Sequence, residues 1–217
     1  MGTITRSFAN NITTSGVLLP ASLTNNSIAN VTAYNASVAT GNMVLISSQT
    51  ASNSASISFT TGINSTYKEY QFYFIDIHPR TDASDLSFNM STDGGSNYNV
   101  TKTTTYFNAY HNEADGDTSL GYDTVSDLAQ STAFQTLSTS QGNGADESVA
   151  GSLTLFNPAS TTYVKHFIAT TNSVYFNDYT FNLFIAGYGN TTSAVNAVQF
   201  KMESGNMDGT ILMYGIV

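Results

Sequence analysis

Side-chain alternation in short runs restricts this chain to β-structure. Ile57 and Phe59 alternate with Ser56 and Ser58, and Leu86, Phe88 and Met90 alternate with Ser87 and Asn89. The same spacing recurs in Phe181, Leu183 and Ile185. A strand sends successive side chains to opposite faces, whereas an amphipathic helix needs apolar residues three and four apart. Between the runs lie segments built almost wholly of Ser, Thr, Asn, Asp and Gly, which are turn and loop formers.

The strongest run is Tyr70 to His78. Tyr70, Phe72 and Phe74 alternate with Tyr73, Ile75 and Ile77, so the spacing predicts a strand apolar on both faces, either central or at a subunit contact. Pro79 offers no amide donor to a ladder and should end it. Thr92-Asp93-Gly94-Gly95-Ser96 is the clearest hairpin signal, with Tyr98, Val100 and Lys102 expected on the returning strand. Another strand is expected over 105–110. Residues 111–146 read as a long acidic, Gly/Ser-rich loop holding one short helix over Ser126–Phe134, and loops of this length are often functional. Strands resume with Val149, Leu153 and Leu155, then Val164, His166 and Ile168, then 181–185, 197–202 and 210–217. Nine or ten short strands predict an all-β, antiparallel, jelly-roll-like β-sandwich over residues 43–217.

Residues 1–42 differ, with no Phe after Phe8 and only brief β-prone pairs such as Val17-Leu18 and Val31-Thr32. They read either as a disordered leader or as an extended N-terminal arm that orders against a partner chain. Met1–Asn11 has no apolar core of a secretory signal, and the initiating Met suggests a complete cytoplasmic product.

Charge narrows the functions. Asp and Glu number 15 against 6 Lys and Arg, a net of −9, and the six cations are scattered. Nucleic-acid binding needs clustered cations, so neither nucleic acid nor an anionic membrane is expected as a partner. The chain has no Cys, which removes disulfides and thiolate metal sites. His111 followed by Glu113, Asp115 and Asp117 resembles an oxygen-ligand loop, but lacks the spacing of a calcium loop. His78 and His166 fall within strand patterns. Asp76 is the one carboxylate with plainly apolar neighbours, and no partner for acid–base work accompanies it. Neither a nucleophile elbow nor a phosphate or dinucleotide loop is present. No enzyme activity, cofactor or metal is expected.

Tyr106, Tyr110, Tyr122 and Tyr188, with His111, are the candidates for a glycan- or partner-binding surface. A flat apolar ring beside polar groups suits a sugar, which has an apolar face and hydroxyl edges. The plainer account of these aromatics is that they cover the core.

Three segments carry a family resemblance. Ile57-Ser58-Phe59-Thr60-Thr61-Gly62-Ile63-Asn64-Ser65-Thr66-Tyr67-Lys68-Glu69-Tyr70 resembles a recurring stretch of tailed-bacteriophage virion proteins, especially of marine phages. Ser91 to Tyr98 and Gly209 to Ile216 do so as well. The resemblance implies a β-sandwich module of a tail fibre, head fibre or capsid-decorating protein, made in the host cytoplasm and carried on the virion. It also implies a homotrimer, contacts with other capsid or tail proteins through the arm, and, as an alternative role, recognition of a host-surface glycan. It supplies no catalytic residue.

Overall fold

The computed structural model describes residues 42–217. The expected arm therefore lies, except for Asn42, outside the described residues. Twelve strands form: β1 (Met43–Ser54), β2 (Ile57–Phe59), β3 (Glu69–Pro79), β4 (Leu86–Ser91), β5 (Lys102–Asn112), β6 (Thr118–Tyr122), β7 (Gln135–Thr136), β8 (Val149–Phe156), β9 (Lys165–Tyr175), β10 (Tyr179–Gly189), β11 (Ala197–Met202) and β12 (Met207–Ile216). No helix is present among the described residues. The strands make two antiparallel sheets, in the orders β1-β12-β3-β8-β9-β10-β5-β6 and β2-β11-β4-β7. The all-β sandwich expected from the alternation is what forms, with one sheet twice as wide as the other.

The core lies between the sheets. Phe200 of β11 reaches across to Phe72 and Phe74 of β3, at ring-centroid distances of 5.3 and 5.2 Å, and packs beside Phe59 and Phe88 of its own sheet at 6.2 Å each. Phe88 in turn meets Phe167 of β9 edge-on at 4.9 Å. These rings are fully buried or nearly so, and such pairs, mostly edge-to-face with Phe88 and Phe200 stacked, add to the stabilisation from area burial.

Four local expectations are corrected. In β3, Asp76 adopts φ 51° and the pairing with β8 slips between Phe74 and Ile77. That bulge turns Ile77 inward, where it is fully buried, and leaves Ile75 and Asp76 exposed. Gly209 on the facing strand has φ 117°, and a Cβ there would collide with the Asp76 carbonyl. Second, Gly94 and Gly95 take the positive φ that the turn signal requires, but no hairpin follows. After a single bond from Val100 N to Met90 O, the chain leaves β4 and enters β5 of the other sheet.

The loop over 111–146 is the third. It holds β6 and β7, and where a helix was expected the chain is stitched to β5 and β4 instead. Lys102 and Ser131 exchange backbone bonds of 2.8 and 3.0 Å, and Thr104 N bonds Leu128 O. The buried Gln135 carboxamide accepts from Thr104 Oγ1 and donates to Ser126 O. Fourth, β9 faces the opposite way from its predicted phase: Lys165, Phe167 and Ala169 are buried while His166 and Ile168 are exposed.

Candidate functional site

The residues singled out from sequence separate across two faces of the eight-stranded sheet. On β5, Tyr106 and Tyr110 share the inner face by their even spacing, whereas His111 faces outward. Tyr122 pairs with Phe107 and lies outward as well. Tyr106 is fully buried, its hydroxyl bonded to Thr139 Oγ1 at 2.8 Å, and burial raises its pKa. Exposed Tyr122 donates to Asp127 Oδ2 at 2.7 Å, which raises its pKa. His111 Nε2 lies 3.1 Å from Asp115 Oδ1 on an exposed turn. Tyr188 is half-buried on the outer face beside His166. Tyr110 enters an aromatic-lined cleft on the inner face, Tyr188 borders a depression on the outer face, and His111 lines a separate hollow with Glu113 and Tyr179.

The first of these lies at the far end of the inner face. Tyr110 of β5, Tyr175 of β9, and Tyr179 and Phe181 of β10, with Asp117 and Asn177 from the two adjoining turns, line a cleft of about 270 Å3. Register brings them together, since Tyr110 pairs with Phe181 and Tyr175 with Tyr179. Tyr110 stacks on Phe181 at 5.0 Å, and Tyr175 lies 5.1 Å from Phe181 and 5.8 Å from Tyr179.

Both turns are fixed. Asn112 Oδ1 accepts from Gly116 N and Asp117 N at 2.8 and 2.9 Å, and Asn112 N bonds Asp117 O. Asp178, with φ 63°, closes the other turn onto Tyr175 O, and its carbonyl accepts from Glu113 N at 2.9 Å. Tyr179 donates to Asp117 Oδ2 at 3.2 Å, and its pKa is raised by burial first and by that carboxylate second. The sequence reading missed Tyr175, Tyr179 and Phe181. The available signal was Tyr175-Phe176-Asn177-Asp178-Tyr179, a polar turn flanked by aromatics.

Two further groups carry unusual electrostatics. Asp85, not Asp76, is the carboxylate that burial perturbs: burial pushes it up to about 6 against the opposing bond from Ser140 N. It opens on a cleft of about 470 Å3 lined also by Ser87, Ser126, Lys201 and Glu203. Lys102 is fully buried, bonding Asn89 Oδ1 at 2.6 Å and Val100 O at 2.9 Å. Burial lowers its pKa to about 7. Asn89 Nδ2 donates to Tyr98 O and Thr132 O, so the Lys102–Asn89 pair ties the two sheets and the 126–134 segment together. No group of three or more carboxylate or His side chains suited to a metal occurs among the described residues.

No family model, no curated protein and no solved structure matches the chain.

Proposed function

We propose that the chain is a structural protein of the surface of a tailed-bacteriophage virion: a capsid decoration, head fibre or short tail fibre or knob. It assembles as a homotrimer through the outer face of the eight-stranded sheet and attaches through residues 1–42. The resemblance of residues 57–70, 91–98 and 209–216 supports the setting, and the chemistry of the outer face supports self-association.

That face carries the assignment. Register places Tyr122, Phe107, Phe184, Thr170, Ser152 and Tyr73 in one outward row across six strands. The next row is Thr105, Ala186, Ile168, Thr154 and Gln71. Neither contains an Asp, Glu, Lys or Arg, in a chain with 21 such residues. Phe107 and Phe184 stack at 5.0 Å with ring planes 12° apart. Ile168 is 54% exposed and Phe107 39%. A depression of about 460 Å3 among Phe156, His166, Ile168, Ala186 and Tyr188 adjoins them. An uncharged apolar patch of this kind marks a contact surface, and copies of the same chain joined by heterologous contacts can cover it in a closed threefold ring.

Immunogold labelling of the parent phage with antibody to this chain tests the assignment. Label on intact particles is expected, and unlabelled particles would overturn it. Sedimentation of the purified chain should give three times its 23.2 kDa mass. No catalytic role is proposed for Asp85, whose carboxylate is engaged by Ser140 N.

A second role, as a host-glycan adhesin, is favoured by one observation: the fixed, aromatic-lined cleft around Tyr110, Tyr175 and Tyr179.

A further inference from the structure

We propose that the cleft formed by Tyr110, Tyr175, Tyr179, Phe181, Asp117 and Asn177 binds a neutral pyranose of a host-surface glycan and discriminates against acidic sugars. This rests on the adhesin role and gives it a site and a ligand class.

The cleft offers the two things a sugar ring presents surfaces for. Apolar recognition comes from three tyrosines and a phenylalanine, set around a hollow of about 270 Å3. That is just under the roughly 300–1,000 Å3 of drug-sized sites, a size for one sugar residue and not a long chain. Polar recognition comes from groups with no protein partner among the described residues. Asp117 spends Oδ2 on the Tyr179 hydroxyl and leaves Oδ1 free to accept. The Asn177 carboxamide and the Tyr110 and Tyr175 hydroxyls make no bond within the described protein. One acceptor-only carboxylate, one donor–acceptor amide and two hydroxyls match the vicinal hydroxyls of a pyranose, each of which both donates and accepts.

The rim is also preorganised. Asn112 holds Asp117 through two backbone amides, and Glu113 N ties that turn to Asp178 O on the other side. Little ordering remains to oppose binding, which matters for a ligand that makes few contacts.

Charge sets the class. Glu113, Asp115, Asp117 and Asp178 occupy the two turns, whereas no Lys or Arg occurs anywhere between Lys102 and Lys165 or between Lys165 and Lys201. A uronate or sialate would bring its carboxylate to an acidic rim whose two turns supply no Lys or Arg to pair it. A neutral hexose or N-acetylhexosamine meets no such opposition.

Saturation-transfer NMR on the full chain tests this with methyl α-mannoside, methyl β-galactoside and N-acetylglucosamine against glucuronate and N-acetylneuraminate. At least one neutral sugar should receive saturation at millimolar concentration, strongest at its ring C–H protons, while the acidic sugars bind at least about ten-fold more weakly. Asn177→Ala and Asp117→Ala alter exposed rim groups and should each weaken binding about five-fold. Tyr175→Ala should abolish it, with Tyr175→Phe retaining part, and Tyr163→Ala, exposed in the connection between β8 and β9, should change nothing. Equal binding of acidic and neutral sugars overturns the selectivity. Glycan binding that survives all three cleft variants overturns the site while leaving the adhesin role standing, and no transfer to any sugar, with no binding to a glycan array, overturns both.

Discussion

Phe107 and Phe184 lie ring on ring on the outer face of the large sheet, whereas Tyr110, Tyr175, Tyr179 and Phe181 close around a hollow at the end of its inner face. Both regions are aromatic and come from the same strands, β5, β9 and β10. They differ in shape and in what surrounds the rings. The outer rows hold no carboxylate or cation, and their non-aromatic polar members are Thr105, Thr154, Thr170, Ser152 and Gln71. The hollow is rimmed by Asp117 and Asn177 and by the hydroxyls of Tyr110 and Tyr175, which have no partner among the described residues. A broad uncharged surface removes water best against another broad surface, while a concave site with directed polar groups suits a small polar ligand. Aromatic content alone therefore does not identify a sugar site, and the polar rim decides.

The largest effect should come from charging the outer face. Phe107→Lys would place an unpaired ammonium in the proposed subunit contact, and burying it costs at least about 3 kcal/mol per interface. Sedimentation should fall from three chain masses to the 23.2 kDa monomer while circular dichroism stays strand-like. The equivalent charge on the exposed cleft rim, Asn177→Lys, should leave the oligomer intact. If both variants stay assembled, the outer face is not the contact.

pH separates assembly from folding. The outer rows through Phe107 and Ile168 hold no Asp, Glu, Lys, Arg or His, so association should vary little with pH through the acid and neutral range. Fold stability should vary through Asp85. Its folded value near 6 lies above the unfolded 3.8, so the folded state holds a proton that the unfolded chain has released between those values. The stabilising contribution is complete below about 3.8 and is lost as pH rises through 6. Asp85→Asn should remove that fall and raise stability at pH 8 by about 2 kcal/mol, with little change at pH 4, as read by chemical denaturation.

Lys102 works in the opposite sense. Its folded value near 7 lies below the unfolded 10.5, so between them the unfolded chain carries the extra proton and stability rises with pH. Lys102→Met should flatten the alkaline limb of the profile, at a general cost because Asn89 Oδ1 and Val100 O lose their donor. Together the two groups should place a shallow stability minimum between about pH 6 and 7, and a maximum there instead would refute both assignments.

The sheet architecture was legible because large apolar residues occupy alternate positions in β4 and β10. The phase of β9 was not, because its buried positions hold Lys165, Ala169, Thr171 and Ser173 while Ile168 faces solvent. Two of those buried polar groups find acceptors at distant positions: Thr171 donates to Leu137 O and Lys165 to Thr191 O. The bulge at Asp76 was hidden because it depends on Gly209 across the sheet. β6 is exposed along its whole length, so no hydrophobic period marks it. Of the site, Tyr110 was legible, but Tyr106 lies four residues away on the same face yet deeper in the core. His111 and Tyr122 fall on the other face. Grouping by sequence proximity fails in a strand, where neighbours point apart, and the residues that meet Tyr110 come from the β9–β10 turn 65 or more positions onward.

The smallest effect should be the most discriminating. Asp117→Asn keeps an acceptor oxygen and the volume of the side chain while removing the one charge that lines the cleft. Neutral-sugar affinity should change less than about three-fold, because Asn still accepts from a hydroxyl and from Tyr179. Acidic sugars should gain more than neutral ones, since one of the four rim carboxylates is gone and the repulsion is electrostatic. Raising the salt concentration should narrow the difference between the sugar classes in the wild-type chain for the same reason, as exposed charges are screened beyond about 8–10 Å at physiological ionic strength. If Asp117→Asn weakens neutral and acidic sugars alike, its carboxylate serves as a specific acceptor and not as a filter, and discrimination must come from Glu113, Asp115 or Asp178. If neither salt nor the substitution moves the ratio, the cleft selects by shape alone.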